Sequence, residues 1–462
     1  MLEGIKRIHF IGIGGVGMSA IAYVLLKRGF IVSGSDAASG QIAAMLSKEG
    51  AMVYIGHASC QVEGADAVVV STAINADNPE LEEAQKRKIP VLHRSDVLAA
   101  LINAEKGVAV AGAHGKTTTS SMLACICSES GIKPTAIIGG IVASLGGNAV
   151  NGSGQVLVAE ADESDGSFLK FHPHIAVVTN IENDHLDHYG NEENIYKAFA
   201  EFLDNVVEGG KAVLCFDNAK VRRLAGETRT TVLSYAIDCG EAECLAKNIT
   251  YGPQGTSYDF FRRDERLARV ELIVPGRHNV LNSLGALVAA LELGIGLDKA
   301  IATLKRFTGA KRRFETKGKI AGIWVVDDYA HHPTEIKATL SAAKQTKPGR
   351  LICVFQPHRY TRTQLLIEEF TGAFEECDEL ILTEIYAAGE KPIQGVCGSG
   401  LCEEVIRKTA KKACFIPKLE DIGEYLLKNV KDGDLVITVG AGNIYTVGEQ
   451  LVNQLERGTA NE

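Results

Sequence analysis

The chain has 462 residues, and its 46% hydrophobic and 23% charged residues are typical of a globular protein with full hydrophobic cores. At about 150 residues per domain, this length predicts three domains. The net charge of −9 with histidine neutral argues against nucleic acid and anionic membrane surfaces as partners, because both require an excess of lysine and arginine.

The first residues lack the apolar core of a secretory signal, and no run approaches the length of a membrane-spanning helix. The 11 cysteines are scattered, without the paired spacing of a zinc site. We therefore expect a cytoplasmic protein with free thiols.

Short runs rich in valine and isoleucine alternate with amphipathic segments along the chain. This alternation predicts an α/β fold, with helices on both faces of parallel sheets. The predicted strands are 8–13, 67–71, 108–111, 156–159, 175–179, 323–326, 351–355 and 435–439, and the predicted helices are 18–28, 118–129, 280–293, 335–343 and 443–455. Polar or basic stretches near 103–107 and 311–313 predict domains of 1–106, 107–314 and 315–462.

The first glycine-rich segment, Gly12-Ile13-Gly14-Gly15-Val16-Gly17, connects a predicted strand to a predicted helix. This G-x-G-x-x-G pattern permits a tight turn and close approach of a phosphate to the backbone, beside the amide donors of a helix N-terminus. Asp36 follows Gly17 by 19 positions, where such folds place a ribose-binding acid. The motif alone favours a nicotinamide-dependent enzyme, although other diphosphates, or no ligand, suit the same turn.

The second glycine-rich segment, Gly112-Ala113-His114-Gly115-Lys116-Thr117-Thr118-Thr119, is a phosphate loop two residues shorter than the G-x-x-x-x-G-K-[ST] form. Its backbone amides are expected to surround the phosphates of ATP. Lys116 is expected to reach the β and γ oxygens, and the Thr117 hydroxyl to bind Mg²⁺.

Charged side chains follow the next two predicted strands of this region. Glu160 ends one strand, and a carboxylate at a strand end beside a phosphate loop suits a Mg²⁺ ligand. Asp162, Glu163 and Asp165 are interpreted as solvated or as supporting that ligand. His185, after the following strand, is a candidate for a second metal ion or for orienting a phosphate.

These motifs and several later ones occur in the order found in one enzyme family. The later ones are Thr179-Asn180-Ile181-Glu182, Asp184-His185, His278-Asn279 with Asn282, Arg312-Arg313-Phe314-Glu315, Asp327-Asp328-Tyr329-Ala330-His331-His332-Pro333 and Gln356-Pro357-His358-Arg359-Tyr360-Thr361-Arg362. On these residues, nearly the whole chain resembles the Mur ligases. The resemblance implies a Rossmann-like UDP-sugar domain, a central P-loop ATPase-type domain and a Rossmann-like C-terminal domain.

The resemblance also implies the reaction. L-Alanine is joined to the lactyl carboxylate of UDP-N-acetylmuramic acid through an acyl phosphate, while ATP is cleaved to ADP and phosphate, in the synthesis of the peptidoglycan precursor. ATP and Mg²⁺ are the implied cofactors, and the two substrates are the implied small-molecule partners. We expect no nucleic-acid or membrane partner, and a monomer or weak homodimer.

The resemblance further implies five groups of site residues. The implied catalytic residues are Lys116, His185, Glu160 and Arg313, and the metal ligands are Thr117, Glu160 and His185. The implied ATP-binding residues are Gly112, Ala113, His114, Gly115, Lys116, Thr117, Thr118, Asn279, Asn282, Arg313 and Asp328. The implied UDP-sugar-binding residues are Gly12, Gly14, Gly15, Val16, Gly17, Met18, Ser19 and Asp36, and those for alanine are His331, His358, Arg359 and Arg362.

Several of these residues have a plainer alternative. Asn279 could simply cap the helix that follows it. Arg312, Arg359 and Arg362 could be solvated surface charges.

The sequence departs from the family pattern at two places. Ala113 stands where the family usually has threonine, so a hydroxyl contact to the nucleotide is missing there. Some relatives carbamylate a lysine that would fall near Ala200, and Lys197 lies one turn out of phase with it. We therefore expect no carbamylated lysine.

Three other functions stay open on the sequence. A ligase that attaches a recycled peptide to the same nucleotide sugar is the first, although the segment 358–362 favours single alanine. A nicotinamide-dependent oxidoreductase is the second, and it leaves Lys116 unexplained. A non-catalytic nucleotide-binding regulator is the third.

Overall fold

The computed structural model of the chain describes residues 2–182 and 185–459, so Asp184 of the sequence motif lies outside the described residues. The described residues form two compact units. The first is drawn from 1–247, 259–268 and 281–307, and the second from 248–258, 269–280 and 308–462. Three β-sheets carry the architecture, and the predicted α/β class is confirmed.

The first sheet lies in the first unit and is parallel throughout, with the strand order β3-β2-β1-β4-β5. Its strands are β1 (Arg7–Ile11), β2 (Ile31–Asp36), β3 (Met52–Ile55), β4 (Ala67–Val70) and β5 (Val91–His93), and its helices are α1 (Val16–Lys27), α2 (Gln41–Lys48), α3 (Pro79–Lys86) and α4 (Arg94–Asn103). Asn78 caps α3 ahead of Pro79, and His93 with Asp96 forms a capping box on α4.

The second sheet has the order β12-β11-β10-β6-β9-β7-β8 in the first unit, and β13 continues it from β12 at Cys244 and Leu245. The strands are β6 (Lys106–Ala111), β7 (Thr135–Val142), β8 (Gly147–Val150), β9 (Val156–Glu160), β10 (Ile175–Val178), β11 (Lys211–Cys215), β12 (Thr231–Ala236), β13 (Cys244–Gly252), β14 (Gly255–Arg262) and β15 (Glu265–Leu272). The helices are α5 (Lys116–Glu129), α6 (Leu186–Tyr189), α7 (Glu192–Asp204), α8 (Ala219–Glu227), α9 (Arg277–Glu292) and α10 (Leu297–Arg306).

The third sheet lies in the second unit and has the order β16-β17-β21-β18-β19-β20. Its strands are β16 (Glu315–Ile320), β17 (Ile323–Asp328), β18 (Arg350–Phe355), β19 (Glu379–Leu382), β20 (Ala413–Phe415) and β21 (Asp434–Val439). Its helices are α11 (Pro333–Gln345), α12 (Tyr360–Leu365), α13 (Ile367–Thr371), α14 (Gly398–Thr409), α15 (Leu419–Asn429) and α16 (Tyr445–Thr459).

The predicted strands and helices are all present, with ends displaced by at most four residues. The first strand ends at Ile11 rather than at residue 13, because Gly12 takes a positive φ of 81° and begins the turn. The strands are not all parallel, however. β8 runs antiparallel to β7, and β16 runs antiparallel to β17, so two sheet edges depart from the predicted pattern.

One hydrophobic core joins the first two sheets. Val97 and Leu101 of α4 belong to the same buried cluster as Phe168 and Phe199 from the region of the second sheet. Most of the residues predicted to form the first two domains thus belong to one unit, although 248–258, 269–280 and 308–314 belong to the other. The boundary near residue 106 stays a prediction.

All eleven cysteines fall among the described residues, and all are free thiols, as predicted. Within 2–182 and 185–459 no helix has the length and apolar composition needed to cross a bilayer.

Candidate active site

The second glycine turn lies at the carboxyl end of β6 and leads directly into α5. Gly112 and Gly115 have φ values of 133° and 85°, a region that side chains other than glycine rarely adopt. A β-carbon on Gly112 would lie 2.1 Å from Thr179 Oγ1, and one on Gly115 would lie 2.4 Å from Asn282 Oδ1. Both glycines are therefore required by conformation and by space.

Side chains from neighbouring elements hold this turn. Thr179 Oγ1 donates to His114 O at 2.6 Å, and Asn180 both accepts from His114 N at 2.9 Å and donates to His114 O at 2.9 Å. β6 and β10 are adjacent parallel strands, so their carboxyl ends meet and place Thr179 and Asn180 beside the turn. Asn282 of α9 accepts from Thr119 Oγ1 at 3.3 Å.

Lys116 is folded back over its own loop. Its Nζ donates to Gly112 O at 2.6 Å, to Ala113 O at 3.3 Å and to Glu163 Oε1 at 2.8 Å. Glu163 is only 3% exposed. Of the two alternatives that the sequence left open for Glu163, burial and the bond from Lys116 favour the supporting one.

Glu160 and Thr117 form an oxygen-rich pair at the end of β9. Thr117 Oγ1 lies 3.0 and 3.2 Å from the two Glu160 carboxylate oxygens, and Gly139 N donates to Glu160 Oε2 at 3.0 Å. Carboxylate and hydroxyl oxygens are the donors that Mg²⁺ prefers. Glu163 Oε2 is also buried, and it lacks a hydrogen-bond partner within the described chain. These residues fit a bound Mg²⁺.

His185 stands beside the same acids. Its Nε2 lies 3.7 Å from Glu163 Oε1, and its backbone has a φ of 61°. A non-glycine residue in this region is held there by its surroundings. The structure thus brings together the predicted residues Lys116, Thr117, Glu160 and His185.

The charges of this cluster are strongly coupled. Burial opposes the charge of Lys116, but Glu163, Glu160 and Asp162 raise its pKa above the ordinary value. Burial and the charge of Asp162 raise the pKa of Glu163, against the influence of Lys116. Burial also disfavours the charged form of Asp162, yet Lys116 and Arg94 hold its pKa below the ordinary value. Asp162 thus stays ionised next to a charged Lys116.

The first glycine turn lies at the carboxyl end of β1. Asp36, at the end of β2, accepts from Gly14 N at 2.9 Å, and a β-carbon on Gly14 would lie 2.8 Å from Asp36 Oδ2. Gly12 has a φ of 81°, whereas Gly15 precedes α1 in an extended conformation and gives it no side-chain cap. The first amides of α1 are therefore free to bind an anion.

The residues predicted after Gly15 differ in exposure. Val16 is exposed, whereas Met18 and Ser19 are buried. Ser19 Oγ donates to Val16 O at 2.9 Å, and Asn148 of β8 donates to Val16 O at 2.7 Å and to Ser19 Oγ at 3.1 Å. The Ser19 hydroxyl thus has partners inside the protein and joins α1 to β8.

In the second unit, Arg313 precedes β16 and Asp328 ends β17. The Asp328 carboxylate accepts from Phe314 N and Ala330 N, each at 2.8 Å, and its burial raises the pKa to about 6. Arg313 Nη1 lies 3.6 Å from Glu335 Oε1, and its guanidinium covers the Tyr329 ring at 5.5 Å.

Arg312 is not the solvated charge that the sequence allowed. Its Nε donates to the buried Asp327 at 2.9 Å, and its Nη atoms donate to Gly440 O at 2.5 Å and Gly442 O at 3.0 Å. Its guanidinium also lies over the ring of Tyr445 at 4.7 Å. Arg312 therefore shapes the glycine turn between β21 and α16.

Three of the four predicted alanine-binding residues meet in the second unit. The His331 and His358 rings are 5.7 Å apart, and Arg362 Nη1 lies 3.3 Å from His358 Nδ1. Burial lowers the pKa of His331, and burial with the nearby His331 and Arg362 lowers that of His358 to about 4. Arg359 is exposed, with a φ of 69°.

Asn279 lies in the second unit, buried at the start of α9, and its Nδ2 donates to Pro275 O at 2.7 Å. Neighbouring His278 is buried, and this burial together with the charge of Arg313 lowers its pKa to about 4.

Sequence reasoning assigned no role to several residues that hold these sites. Asn180 and Thr179 clamp the second turn, and Tyr386 stacks on the His358 ring with centroids 5.7 Å apart. Arg94 pairs with Asp162 at 2.8 Å. The position of Thr179 and Asn180 after a strand beside β6 was a signal that could have identified them, whereas nothing local marks Tyr386 or Arg94.

Comparisons with known proteins agree with this architecture. The Mur ligase family, catalytic domain, matches residues 7–106; the Mur ligase middle domain matches 110–290; and the Mur ligase, glutamate ligase domain, matches 312–442. The UDP-N-acetylmuramate–L-alanine ligase of Pelotomaculum thermopropionicum is 48% identical over 451 residues, with 98% of each chain covered. That of Geotalea daltonii is 48% identical over 455 residues, covering 98% of this chain and 99% of the other.

A solved structure is similar over the same length. The crystal structure of UDP-N-acetylmuramate-alanine ligase MurC from Thermotoga maritima superposes with a TM-score of 0.84 at 29% identity, covering 99% of this chain and 100% of the other.

Proposed function

The chain belongs to the Mur ligase family, and we propose that it joins L-alanine to the carboxylate of UDP-N-acetylmuramic acid, with cleavage of ATP to ADP and phosphate. The observation that carries this proposal is the full-length similarity to UDP-N-acetylmuramate–L-alanine ligases. The clustering of Lys116, Thr117 and Glu160 at adjacent strand ends supports it independently.

The chemical problem is that a carboxylate is a poor electrophile, so it is first activated as an acyl phosphate. Transfer of the γ-phosphoryl group depends mainly on positioning and on neutralising charge. The amides of 112–117 and the start of α5 bind the phosphates. Lys116, on leaving Glu163, neutralises charge that develops on the β and γ oxygens.

Thr117 and Glu160 would hold Mg²⁺, and His185 with Glu163 would hold a second ion. When bound, Mg²⁺ offsets the phosphate charges and makes the γ-phosphorus easier to attack. Gly139 N fixes one Glu160 oxygen, so the carboxylate is oriented before the nucleotide arrives. Asn282 supports Gly115. Asn279, Arg313 and Asp328, which belong to the second unit, are proposed to bind ATP as well.

The first glycine turn, with Gly12, Gly14, Gly15, Gly17 and Asp36, binds the UDP part of the acceptor. Val16, Met18 and Ser19 form the first turn of α1, whose amides face the diphosphate. In its bonded position Ser19 shapes this turn from inside.

Alanine binds in the second unit. Arg359 and Arg362 provide guanidinium groups for its α-carboxylate. His358 has a pKa of about 4, so it is neutral at pH 7 and orients the amino acid through hydrogen bonds. The alanine amine then attacks the acyl phosphate, and the tetrahedral oxyanion collapses with loss of phosphate.

The domains 1–106, 107–314 and 315–462 correspond in this proposal to acceptor, nucleotide and amino-acid binding. We also infer that the enzyme is cytoplasmic, because ATP and UDP-sugars are made in the cytoplasm. A monomer or weak homodimer stays our prediction.

A phosphate-release assay with Mg-ATP and UDP-N-acetylmuramic acid tests the reaction. Release that depends on L-alanine, with a product heavier by one alanine residue, is expected. Release with the tripeptide of the peptidoglycan stem, and none with alanine, would instead support the peptide ligase. Binding of NADH without binding of the UDP-sugar would refute the ligase reading.

A further inference from the structure

We propose that Arg94 binds the diphosphate of the nucleotide sugar and links it to Asp162, at the entrance of the phosphoryl-transfer site. This inference rests on the proposed function, since it requires a UDP-sugar on the first glycine turn. It adds a binding residue from α4, outside both glycine motifs.

The position of Arg94 carries the argument. A β-carbon built on Gly17 would lie 3.9 Å from Arg94 Nη1, so this nitrogen faces the first turn of α1. Nη2 donates to Asp162 Oδ2 at 2.8 Å. The other N–H groups of the guanidinium have no hydrogen-bond partner within the described chain, although the side chain is only 19% exposed.

The free donors of Arg94 and those of α1 face the same place. α1 has no side-chain cap and no acidic residue in its first turn, so its first amides are available to an anion. A diphosphate bound to these amides passes Gly17, where the missing side chain leaves the path to Arg94 open. A guanidinium binds two oxygen partners in one plane, so it can contact the diphosphate while Nη2 remains on Asp162.

Asp162 connects Arg94 to the second glycine turn. It follows Glu160 by two residues at the end of β9, and its charge interacts with that of Lys116. Arg94 thereby fixes the diphosphate relative to the second glycine turn. Asp162 acts as a positioning residue through Arg94, and it needs no contact with the sugar nucleotide.

Binding measured by calorimetry, without catalysis, tests the proposal. The probes are UDP-N-acetylmuramic acid and UDP-N-acetylglucosamine, which has the diphosphate but lacks the lactyl carboxylate. Arg94→Ala is expected to weaken binding of both on the order of 10- to 100-fold, as for loss of a hydrogen bond to a charged group. Arg94→Lys should restore part of this loss, and the affinity for Mg-ATP should not change.

Arg28→Ala is the matched control. Arg28 also joins the parts of the chain that carry the first two sheets, through Glu105, Thr135 at 3.2 Å and Asn151 at 3.3 Å, but at the opposite end of α1. It should lower the thermal midpoint without changing UDP-sugar affinity. If Arg94 only joins these parts, Arg94→Ala will behave as Arg28→Ala does, and the proposal falls.

Two further outcomes are decisive. A loss confined to UDP-N-acetylmuramic acid would assign Arg94 to the lactyl carboxylate and overturn the diphosphate contact. In the double variant Arg94→Ala with Asp162→Asn, affinity should equal that of Arg94→Ala alone, because Asp162 acts through Arg94; an additive loss would refute that link. Failure of the wild-type protein to bind either probe would refute the proposed function instead.

Discussion

The turns at Gly12–Gly17 and Gly112–Gly115 each connect a buried parallel strand to a helix, but their surroundings differ. The first turn has one carboxylate on its backbone, from Asp36 to Gly14 N. The second is held from both sides by Thr179, Asn180 and Asn282. A lysine, a threonine and two buried or half-buried acids surround it.

This difference explains how one topology serves two purposes. A turn that only binds a diphosphate needs free amides and space, which glycines at the start of α1 provide. A turn that promotes phosphoryl transfer also needs fixed charges, and fixed charges need a rigid frame. We therefore expect the first turn to bind the diphosphate and the second to promote phosphoryl transfer.

Replacement of Lys116 is the strongest test of this assignment. Lys116→Ala removes the charge that meets the β and γ oxygens, so kcat should fall on the order of 10³-fold or more. Phosphate release measures this loss, and calorimetry should give an unchanged affinity for the UDP-sugar. Substantial activity in the variant would show that Lys116 of the second turn is not required for catalysis.

Glu160 and Asp36 provide a matched pair of carboxylates, one for each turn. Glu160→Gln should reduce kcat by at least about 100-fold and increase the Mg²⁺ concentration needed for half-maximal rate, because it removes a charged ligand. Asp36→Asn should raise KM for the UDP-sugar and leave the Mg²⁺ requirement unchanged. Equal Mg²⁺ dependence in both variants would contradict the division of roles.

The parts that sequence predicts well are those determined by local chemistry. Gly12 and Gly112 could be placed because a strand, a glycine turn and a helix occur consecutively in the chain. Glu160 and His185 could be placed because carboxyl ends of adjacent parallel strands meet at one edge.

Sequence predicted less well where burial or pairing depends on distant residues. For Glu163 the sequence left a solvated and a supporting role open, because an acid in a loop is usually solvated; its pairing with Lys116 in a buried site depends on a residue distant in the chain. The buried contacts of Arg312 could not be predicted for the same reason, because Asp327 and the 440–442 carbonyls that bind it lie elsewhere in the chain. The antiparallel edges of β8 and β16 depend on sheet pairing that apolar runs do not encode.

Two glycines give a structural test of the comparison. Gly115→Ala adds a β-carbon 2.4 Å from Asn282 Oδ1 at a φ of 85°, and we expect a loss of about 2–3 kcal/mol in stability. Gly15→Ala has a φ of −63° and only an ordinary contact at 3.4 Å with Gly12 O, so its stability should change by less than about 0.5 kcal/mol. Thermal unfolding of the two variants should rank them in this order.

Lowering the pH should weaken the side-chain contacts that support the first turn and leave those that support the second unchanged. Ser35 O accepts from Gly12 N of the first turn at 2.8 Å, and the Ser35 hydroxyl donates to the buried Glu80 carboxylate at 2.7 Å. That carboxylate also binds His9 at 2.9 Å and His57 at 3.2 Å. Burial opposes its charge, but the bonds from His9, Ser35 and His57 outweigh this and lower the pKa of Glu80. The second turn is held instead by Thr179, which does not titrate.

The direction of the pH effect on stability follows from the lowered pKa of Glu80. Ionised Glu80 stabilises the fold above the ordinary glutamate pKa of about 4.3, and this stabilisation is lost as the pH falls through the lower folded-state value. The difference in thermal midpoint between wild type and Glu80→Gln should therefore be largest near pH 6 and shrink towards pH 3. For Thr179→Val the difference should stay constant over that range, because hydroxyl and methyl groups carry no proton equilibrium there. A constant difference for Glu80→Gln would mean that its carboxylate is not a charged support of the first turn. The two turns would then differ in the backbone conformations of their glycines, and not in how their supports respond to acid.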